Sequence, residues 1–448
     1  MASSRKSISD LCGRVADALD PVVPHGSSLL VGLSGGLDSV VLLHVLAQLA
    51  PHHFWRLGAL HVHHGISPHA DAWAAFCTEL CAHHSVPLQV EHVDIAPLRD
   101  MGIEAAARQL RHAALARQAA DFIALAHHRD DQAETLLLQL LRGAGVRGGS
   151  AMPLLKKRED SPALLRPLLD FERGELEHYA RAHGLEWVED ESNADVGYPR
   201  NFLRHRVLPV LAQRFPAYRT TLARSARHFA EAAELLDELA AQDAVPAMQD
   251  DRLSVQALRG LGAARGKNLL RHFLAVRQAP IPDHTRLGEM LRQLCEARAD
   301  AQLRITWQGW QLRCFRAHAY VLPQTLPPCE FALDWQGEAE LTLPASHGVL
   351  KFEAVIGQGI SRAKLQQGRV QVRSRHGDVS IQPAAVRPHR SLRNLLQEQG
   401  VPPWQRELLP LLYCGDELVG VPGVAVSAAF QAQAGEPGIV LGWESVAL

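Results

Sequence analysis

Residues 28–46 read SLLVGLSGGLDSVVLLHVL and contain the most informative pattern of the sequence. An apolar run of strand length (28–33) leads into Ser34-Gly35-Gly36-Leu37-Asp38-Ser39, and an apolar run of helix length follows. Glycines let the backbone approach an anion closely, and the free N–H groups at a helix N-terminus attract negative charge. The stretch therefore predicts a phosphate-binding loop between a strand and a helix.

The loop differs from two familiar nucleotide-binding patterns. No lysine follows its glycines, as a Walker sequence requires, and the spacing is not GxGxxG. Ser34 and Ser39 add hydroxyl donors, whereas a carboxylate such as Asp38 suits a phosphate site mainly through a metal ion or a bound water. The alternative is a glycine-rich turn that only connects a strand to a helix.

Length and composition indicate a globular chain of more than one domain. Its 448 residues exceed one ordinary core, so two or three domains are expected. No run approaches the roughly 20 apolar residues of a membrane span, and the N-terminus lacks the apolar segment of a secretion signal. The seven cysteines are scattered without a C-x-x-C pair, which favours a reducing cytoplasm and argues against zinc or an iron–sulfur cluster. The net charge of −2 does not by itself indicate a nucleic-acid partner.

Strand and helix patterns alternate in the first part of the chain. Strands are predicted near 28–33, 57–61, 88–93 and 122–126, with helices near 39–50, 71–84, 103–119 and 131–141. This alternation predicts an α/β domain with a doubly wound parallel sheet over 1–215, whose ligands bind at the carboxyl ends of the strands. We expect a mainly helical middle domain over 216–325, with a hairpin turning at 308–309, and a small α+β module over 330–448.

Two acidic residues open the helix that follows the fourth strand. Asp131 and Glu134 are three positions apart, so they share one helical face and could bind Mg²⁺ or an ammonium group. The alternative is that they only cap the helix. His63 and His64 follow the second strand; a histidine metal site is the weaker interpretation, and a position near ATP phosphates is the stronger one.

Seven segments of the N-terminal part together resemble one family. They are SGGLDS (34–39), HVHHGIS (61–67), EAAARQLR (104–111), AHHRDDQAET (126–135), LLRGAGVRG (140–148), EDESNAD (189–195) and RNFLRHRVLPVL (200–211). Their order and spacing resemble those of the tRNA(Ile)-lysidine synthetases, within the PP-loop ATP pyrophosphatase superfamily. The resemblance returns at 387–406 and 419–423. SGGxDS alone is shared with GMP synthetase, NAD synthetase and tRNA thiolases, so the combination carries the assignment.

The resemblance implies an activity and its substrates. ATP would adenylate C2 of the wobble cytidine in an isoleucine tRNA with a CAU anticodon, and free L-lysine would displace AMP to give lysidine. The enzyme would thus be a ligase forming a carbon–nitrogen bond in the cytoplasm. A tRNA thiolase and a non-catalytic RNA-binding protein are the alternatives. The sequence leaves the oligomeric state open, and a homodimer is compatible with it.

The resemblance also implies site residues. ATP would be bound by Ser34, Gly35, Gly36, Leu37, Asp38, Ser39, His63 and His64, with Asp38 also holding Mg²⁺. The lysine pocket would consist of Asp131, Glu134 and Arg200, which with Asp38 would be the catalytic residues. In the C-terminal module, tRNA phosphates would be bound by Arg387, Arg390 and Arg393, although a solvated basic face would explain the same arginines.

The sequence departs from the family pattern in three places. His63 stands where the family usually has Asn, and Gly148-Gly149-Ser150-Ala151-Met152 replaces a Gly-Leu-x-Gly-Met pattern. An expected Gly-Gly is missing near 375–378. We expect these departures to affect local loop geometry and to leave the activity intact.

Overall fold

The computed structural model describes residues 10–158, 161–298, 303–324, 326–377, 379–384 and 388–445. The chain divides into two compact units, Met1–Leu235 and Leu236–Leu448. Within the described residues, no helix is both long enough and apolar enough to cross a membrane.

The first unit is built on a six-stranded sheet in the order β3-β2-β1-β4-β6-β5, parallel except for β5. Its strands are β1 Ser28–Gly32, β2 Arg56–His63, β3 Leu88–His92, β4 Phe122–Ala124, β5 Leu155–Lys156 and β6 Ala163–Leu165. The chain adds β2 and β3 on one side of β1, then crosses to add β4 and β6 on the other side. The loops after β1 and β4 therefore meet at the topological switch point, where such sheets bind ligands.

Helices cover both faces of this sheet. They are α1 Asp10–Leu19, α2 Leu37–His53, α3 Ala70–His83, α4 Ile103–Ala116, α5 Arg129–Leu141, α6 Val146–Gly149, α7 Arg173–Ala182, α8 Pro199–Phe202 and α9 Leu208–Arg214. Helix α2 is apolar on nearly all sides because it is enclosed by β1, β2, α1 and α7. A separate apolar cluster on the opposite face joins Leu60, Leu115 and Ile123.

The predicted doubly wound α/β fold is confirmed. All four predicted strands and helices exist, with ends within a few residues of those predicted. Strands β5 and β6 were not predicted, because they are short and flank a polar segment whose composition indicates a break. Leu164 and Leu165 are nevertheless buried beside β4.

Helix α10, Tyr218–Ala247, runs across the boundary between the units. The helix continues through Asp243, which is buried and paired with Arg265, and ends at Ala247. The second unit then contains α11 Val255–Val276, α12 His284–Glu296, α13 Arg362–Leu365, α14 Leu392–Glu398 and α15 Pro403–Arg406.

The helical middle region also contains a five-stranded antiparallel sheet in the order β7-β8-β11-β10-β9. Its strands are β7 Met248–Gln249, β8 Arg252–Ser254, β9 Arg304–Trp307, β10 Trp310–Phe315 and β11 His318–Pro323. The predicted hairpin is confirmed: Gln308 and Gly309 connect β9 to β10, and both have positive φ angles, 42° and 79°.

The C-terminal module is α+β, as predicted. Two sheets, β12-β16-β19-β20-β21 and β13-β14-β22-β15, accompany a short β17-β18 pair. Their strands are β12 Ala332–Asp334, β13 Glu340–Thr342, β14 Val349–Ile356, β15 Ile360–Ser361, β16 Val370–Arg373, β17 Ser380–Ile381, β18 Arg390–Ser391, β19 Leu411–Cys414, β20 Glu417–Val421, β21 Ala425–Val426 and β22 Pro437–Glu444. Residues of both sheets share one apolar core around Leu350, Val372 and Leu412. The exact three-domain boundaries stay a prediction.

Candidate active site

The loop after β1 has the geometry of an anion-binding turn. Gly35 has a φ of +85°, and a Cβ there would lie 2.9 Å from a neighbouring side chain, so the position requires glycine. The Ser39 hydroxyl donates to the Gly36 carbonyl at 2.9 Å and lies 3.1 Å from the Ser34 hydroxyl. Helix α2 begins at Leu37, so its first N–H groups line the turn.

Asp38, the second residue of α2, is suited to a metal-bound phosphate. Its Oδ1 is buried and has no hydrogen-bond partner in the described part of the structure. Mg²⁺ binds through one or two carboxylates and completes its shell with phosphate oxygens and water. No group of three or more His, Cys, Asp or Glu among the described residues could hold a metal alone. Asp38 therefore fits a Mg²⁺ that arrives with ATP.

A buried carboxylate pair lies at the start of α5, after the neighbouring strand β4. Arg200 donates to Oδ1 of Asp131 and to Oε2 of Glu134, both at 2.7 Å. The Nε of Arg204 donates to Oε1 of Glu134 at 2.6 Å, and its second nitrogen reaches Asp131 at 3.3 Å. Because the Glu134 side chain is only 1% exposed, both of its oxygens depend on these arginines. The structure thus brings together all three residues of the predicted lysine pocket.

His128 connects this pair to the phosphate loop. Its Nε2 lies 3.6 Å from Asp38 and 3.5 Å from Asp131, and its Nδ1 lies 3.6 Å from Asp130. Burial alone would lower the pKa of His128, but the three carboxylates outweigh it and raise the pKa to about 10. The imidazolium therefore neutralises part of the negative charge between the two strand ends.

The helix-cap interpretation of Asp131 is correct for one of its two oxygens. Its Oδ2 accepts a hydrogen bond from the His128 backbone N–H at 2.9 Å, which caps α5. Burial would raise the pKa of Asp131, but His128, Arg200 and His127 hold it below its usual value. The carboxylate is therefore charged at neutral pH, and its Oδ1 remains for the arginines.

The sequence analysis did not name Arg204 or His128 as site residues. Arg204 lies in a π-helical turn, Leu203–Val207, which is a rare element that often marks functional sites. Arg204 could have been predicted from its spacing: it lies four residues after Arg200, so the two side chains are expected on the same face of the helix.

His63 and His64 border a cavity of about 710 Å³ at the ends of β2 and β3. The Nε2 of His63 donates to Oδ1 of Asp71 at 2.9 Å, and its ring packs at a tilt against His92 with the ring centres 4.5 Å apart, so the ring is anchored. Burial, followed by the Arg111 charge, lowers the pKa of His64 to about 4, which keeps this ring neutral. The cavity is lined by His63, His64, Gly65, Ile66, His92, Val93, Asp94, Ile95 and Ile103.

The arginines predicted to bind tRNA in the C-terminal module lie far along the chain from these residues. Arg387 falls outside the described residues. Arg390 forms an ion pair with Glu398, whereas Arg393 is exposed. Their role in RNA binding stays a prediction.

Comparison with known proteins places the whole chain. Three family models match it: a PP-loop domain over residues 10–211, a TilS substrate binding domain over 253–320 and a TilS substrate C-terminal domain over 370–443. A tRNA(Ile)-lysidine synthase of Nitrosomonas europaea is 46% identical over 424 residues, which cover 94% of this chain and 93% of that protein. The chain belongs to the tRNA(Ile)-lysidine synthase family.

A second relative agrees with this assignment. The tRNA(Ile)-lysidine synthase of Azoarcus sp. is 40% identical over 447 residues, covering 97% of this chain and 96% of that protein. Among solved structures, the U34-tRNA thiolase NcsA from Methanococcus maripaludis gives a TM-score of 0.45 at 18% identity, covering 51% of this chain and 80% of that one. Similarity at that level does not support a conclusion about activity.

Membership of the tRNA(Ile)-lysidine synthase family confirms the resemblance inferred from the motifs. The chain is accordingly an enzyme of tRNA modification that uses ATP through its PP-loop domain. All seven cysteines are free of disulfide bonds.

Proposed function

We propose that this enzyme attaches free L-lysine to C2 of the wobble cytidine of an isoleucine tRNA with a CAU anticodon. The products would be lysidine, AMP and pyrophosphate, formed through an adenylated cytidine. The proposal is carried by one observation: the phosphate-binding loop and the buried carboxylate–arginine cluster lie side by side, after the adjacent strands β1 and β4. His128 lies between them and contacts both Asp38 and Asp131. ATP, lysine and tRNA meet in the cytoplasm, where we place the reaction.

In the first step, the loop binds ATP and the C2 oxygen of the cytosine attacks the α-phosphorus. The Ser34 and Ser39 hydroxyls and the N–H groups that follow Gly36 would hold the phosphates. Asp38 would hold Mg²⁺, and the bound ion would neutralise negative charge on the pyrophosphate. His63 and His64 would border the nucleotide. The adenylate converts the C2 oxygen into a good leaving group.

In the second step, the lysine ε-ammonium loses a proton to water, and the resulting ε-amine attacks C2 and expels AMP, which leaves with the C2 oxygen. Asp131 and Glu134 would hold the amino group beforehand, since ionised carboxylates suit an ammonium. In this structure, however, both oxygens of Glu134 and Oδ1 of Asp131 already accept from arginines. Lysine entry therefore requires an arginine to withdraw. We assign this to Arg200, while Arg204 keeps Glu134 neutralised.

The C-terminal module would bind tRNA through Arg387, Arg390 and Arg393, and so would set affinity rather than chemistry. The wobble base must leave its stack to reach the pocket, as RNA-loop recognition commonly requires.

The test is an omission experiment on ATP turnover. Radiolabelled ATP is incubated with the full-length enzyme and Mg²⁺, leaving out lysine, tRNA or both. Sustained release of AMP and pyrophosphate should need both substrates, and tRNA without lysine should allow at most one adenylation per enzyme-bound tRNA. Formation of ADP, or sustained AMP release without lysine, would contradict the proposal.

A further inference from the structure

The longest segment of this nearly neutral chain without an acidic residue is 196–230. Between Asp195 and Glu231 there is no aspartate or glutamate, although the chain as a whole has 48 acidic and 46 basic residues. The same acid-free segment, residues 196–230, contains the arginines Arg200, Arg204, Arg206, Arg214, Arg219, Arg224 and Arg227. It is therefore a local concentration of positive charge that the net charge conceals.

These arginines divide into two groups. Arg200 and Arg204 point inward to Glu134, and Arg219 pairs with Asp130. The others are exposed and form no ion pair with a carboxylate of the described residues; they are Arg206, Arg214, Arg224 and Arg227. Some exposed arginines elsewhere are paired, as Arg292 is with Glu289 and Arg369 is with Asp334.

Large apolar side chains accompany the unpaired arginines. Phe202 is 49% exposed, Val210 62% and Phe215 59%. Arg206 and Arg214 are exposed as well, whereas Leu203 and Leu208 of the same helical segment are buried. The Arg214 guanidinium lies 5.9 Å from the centre of the Phe215 ring. We call Phe202, Arg206, Val210, Arg214 and Phe215 the outer face.

The composition of the outer face selects one kind of partner. Unpaired arginines without carboxylates favour a polyanion. Exposed aromatic rings favour unstacked bases, because a duplex offers phosphates but keeps its base faces covered. Arg200 and Arg204, in the same segment, bind the carboxylate pair. An RNA strand bound to the outer face would therefore lie beside the reaction centre.

We propose that the outer face binds the single-stranded loop nucleotides of the tRNA that flank the reacting base. Its arginines bind loop phosphates and its phenylalanines stack on bases, so that the wobble nucleotide is presented to the site formed by Asp38, Asp131 and Glu134. This inference rests on the proposed function for the identity of the RNA. It adds recognition of the reacting loop by the catalytic unit to the tRNA binding proposed for the C-terminal arginines.

The test measures RNA binding without catalysis. Fluorescence anisotropy would give the affinity of the full chain for a labelled anticodon stem–loop hairpin over a range of salt concentrations. Replacing Arg206 and Arg214 together by alanine should reduce the log–log salt slope by about 1.4, since single strands contribute about 0.7 per phosphate contact. Arg292→Ala with Arg369→Ala is the matched control: it removes the same charge from paired exposed sites and should leave the slope unchanged.

The aromatic residues give a second readout. Phe202→Ala and Phe215→Ala should each weaken hairpin binding by about 5- to 150-fold with an unchanged salt slope, because stacking is uncharged. The two phenylalanine variants should leave affinity for a blunt RNA duplex of the same stem unchanged, because a duplex keeps its base faces covered. Thermal unfolding would confirm that each variant is folded.

Two outcomes would overturn the inference: unchanged hairpin affinity in folded variants, or equal losses for hairpin and duplex. Failure of the proposed function is separate. It would appear as absent lysine transfer by an enzyme whose hairpin binding still depends on the outer face.

Discussion

Asp131 uses its two carboxylate oxygens differently. Oδ2 caps helix α5, and Oδ1 faces the arginines that a lysine ammonium would replace. Asp131→Asn keeps the shape and removes the charge. It should raise the KM for lysine about 10- to 150-fold, the value of a charge-assisted contact of roughly 1.5–3 kcal/mol, and change the KM for ATP little.

Steady-state kinetics with each substrate varied in turn would measure this effect. Glu177→Gln is the control, because that carboxylate pairs with Arg181 on α7 and contacts none of the site residues in the described structure. A rise in the KM for ATP with an unchanged KM for lysine would make Asp131 a nucleotide or metal ligand.

Arg204 holds the least exposed carboxylate of the site. Arg204→Ala leaves Glu134 with Arg200 as its remaining charged partner, so the free energy of unfolding should fall by about 2–3 kcal/mol, somewhat less than the 3–5 kcal/mol for a fully abandoned buried charge. Glu134→Gln added to Arg204→Ala should recover part of the loss in urea denaturation. Strict additivity of the two changes would show that the pair is not coupled.

His44 supplies a pH dependence away from the catalytic site. Burial, followed by the nearby His84 and His183, lowers its pKa from 6.5 to about 4. Between these values the unfolded chain binds a proton that the folded chain does not. The free energy of unfolding should therefore decrease as the pH falls from about 6.5 toward 4, with no loss above this window.

Urea denaturation at about pH 7.5 and about pH 5 would measure this difference. His44→Gln should make the dependence shallower, whereas His178→Gln, at an exposed position on α7, should not. Equal pH dependence in the two variants would remove His44 as a contributor.

At the scale of elements, the loop after α6 explains one departure from the family pattern. A Cβ at Gly149, where the family usually has Leu, would lie 2.8 Å from the Phe229 ring. Ala151, where the family usually has Gly, has a φ of +52°. Gln132 fixes the loop beside the site through both its amide atoms, which bind Met152 at 2.6 and 2.9 Å.

Substitutions toward the family pattern should therefore have opposite effects. Gly149→Leu should lower the free energy of unfolding by about 1–3 kcal/mol through overpacking. Ala151→Gly should raise the free energy of unfolding by about 0.5–1 kcal/mol. Removing the Cβ relieves a left-handed conformation that costs about 1–2 kcal/mol, but glycine also makes the unfolded chain more flexible, which offsets part of this stabilisation. Gly174→Ala, with open space around its Cβ position, is the control for added bulk. The reverse signs in urea denaturation would refute this account of the loop.

Local pattern was sufficient for the elements that carry long apolar runs, such as β1 and α2. It was not sufficient for β6, whose three residues are a strand only because β4 lies beside them. The same holds for the site: loop and carboxylates follow from local motifs, but the roles of Arg204 and His128 depend on contacts between distant segments.

For the whole molecule, net charge was a poor guide to partners. The net charge of −2 does not reveal the acid-free segment. Only the structure distinguishes its exposed arginines from the paired ones, such as Arg219, because it shows which carboxylates lie nearby. The family assignment, in contrast, followed from the order of short motifs along the chain, and the family models match all three regions.

Transfer of lysine tests the central claim most directly. The full-length enzyme would be incubated with labelled lysine, ATP, Mg²⁺ and tRNA transcripts that have a CAU anticodon in an isoleucine or a methionine body. The account predicts that label enters the isoleucine transcript only, that one AMP forms per lysine, and that Asp38→Ala abolishes both while tRNA binding persists. Absence of label in the isoleucine transcript while ATP is still converted to AMP would contradict it.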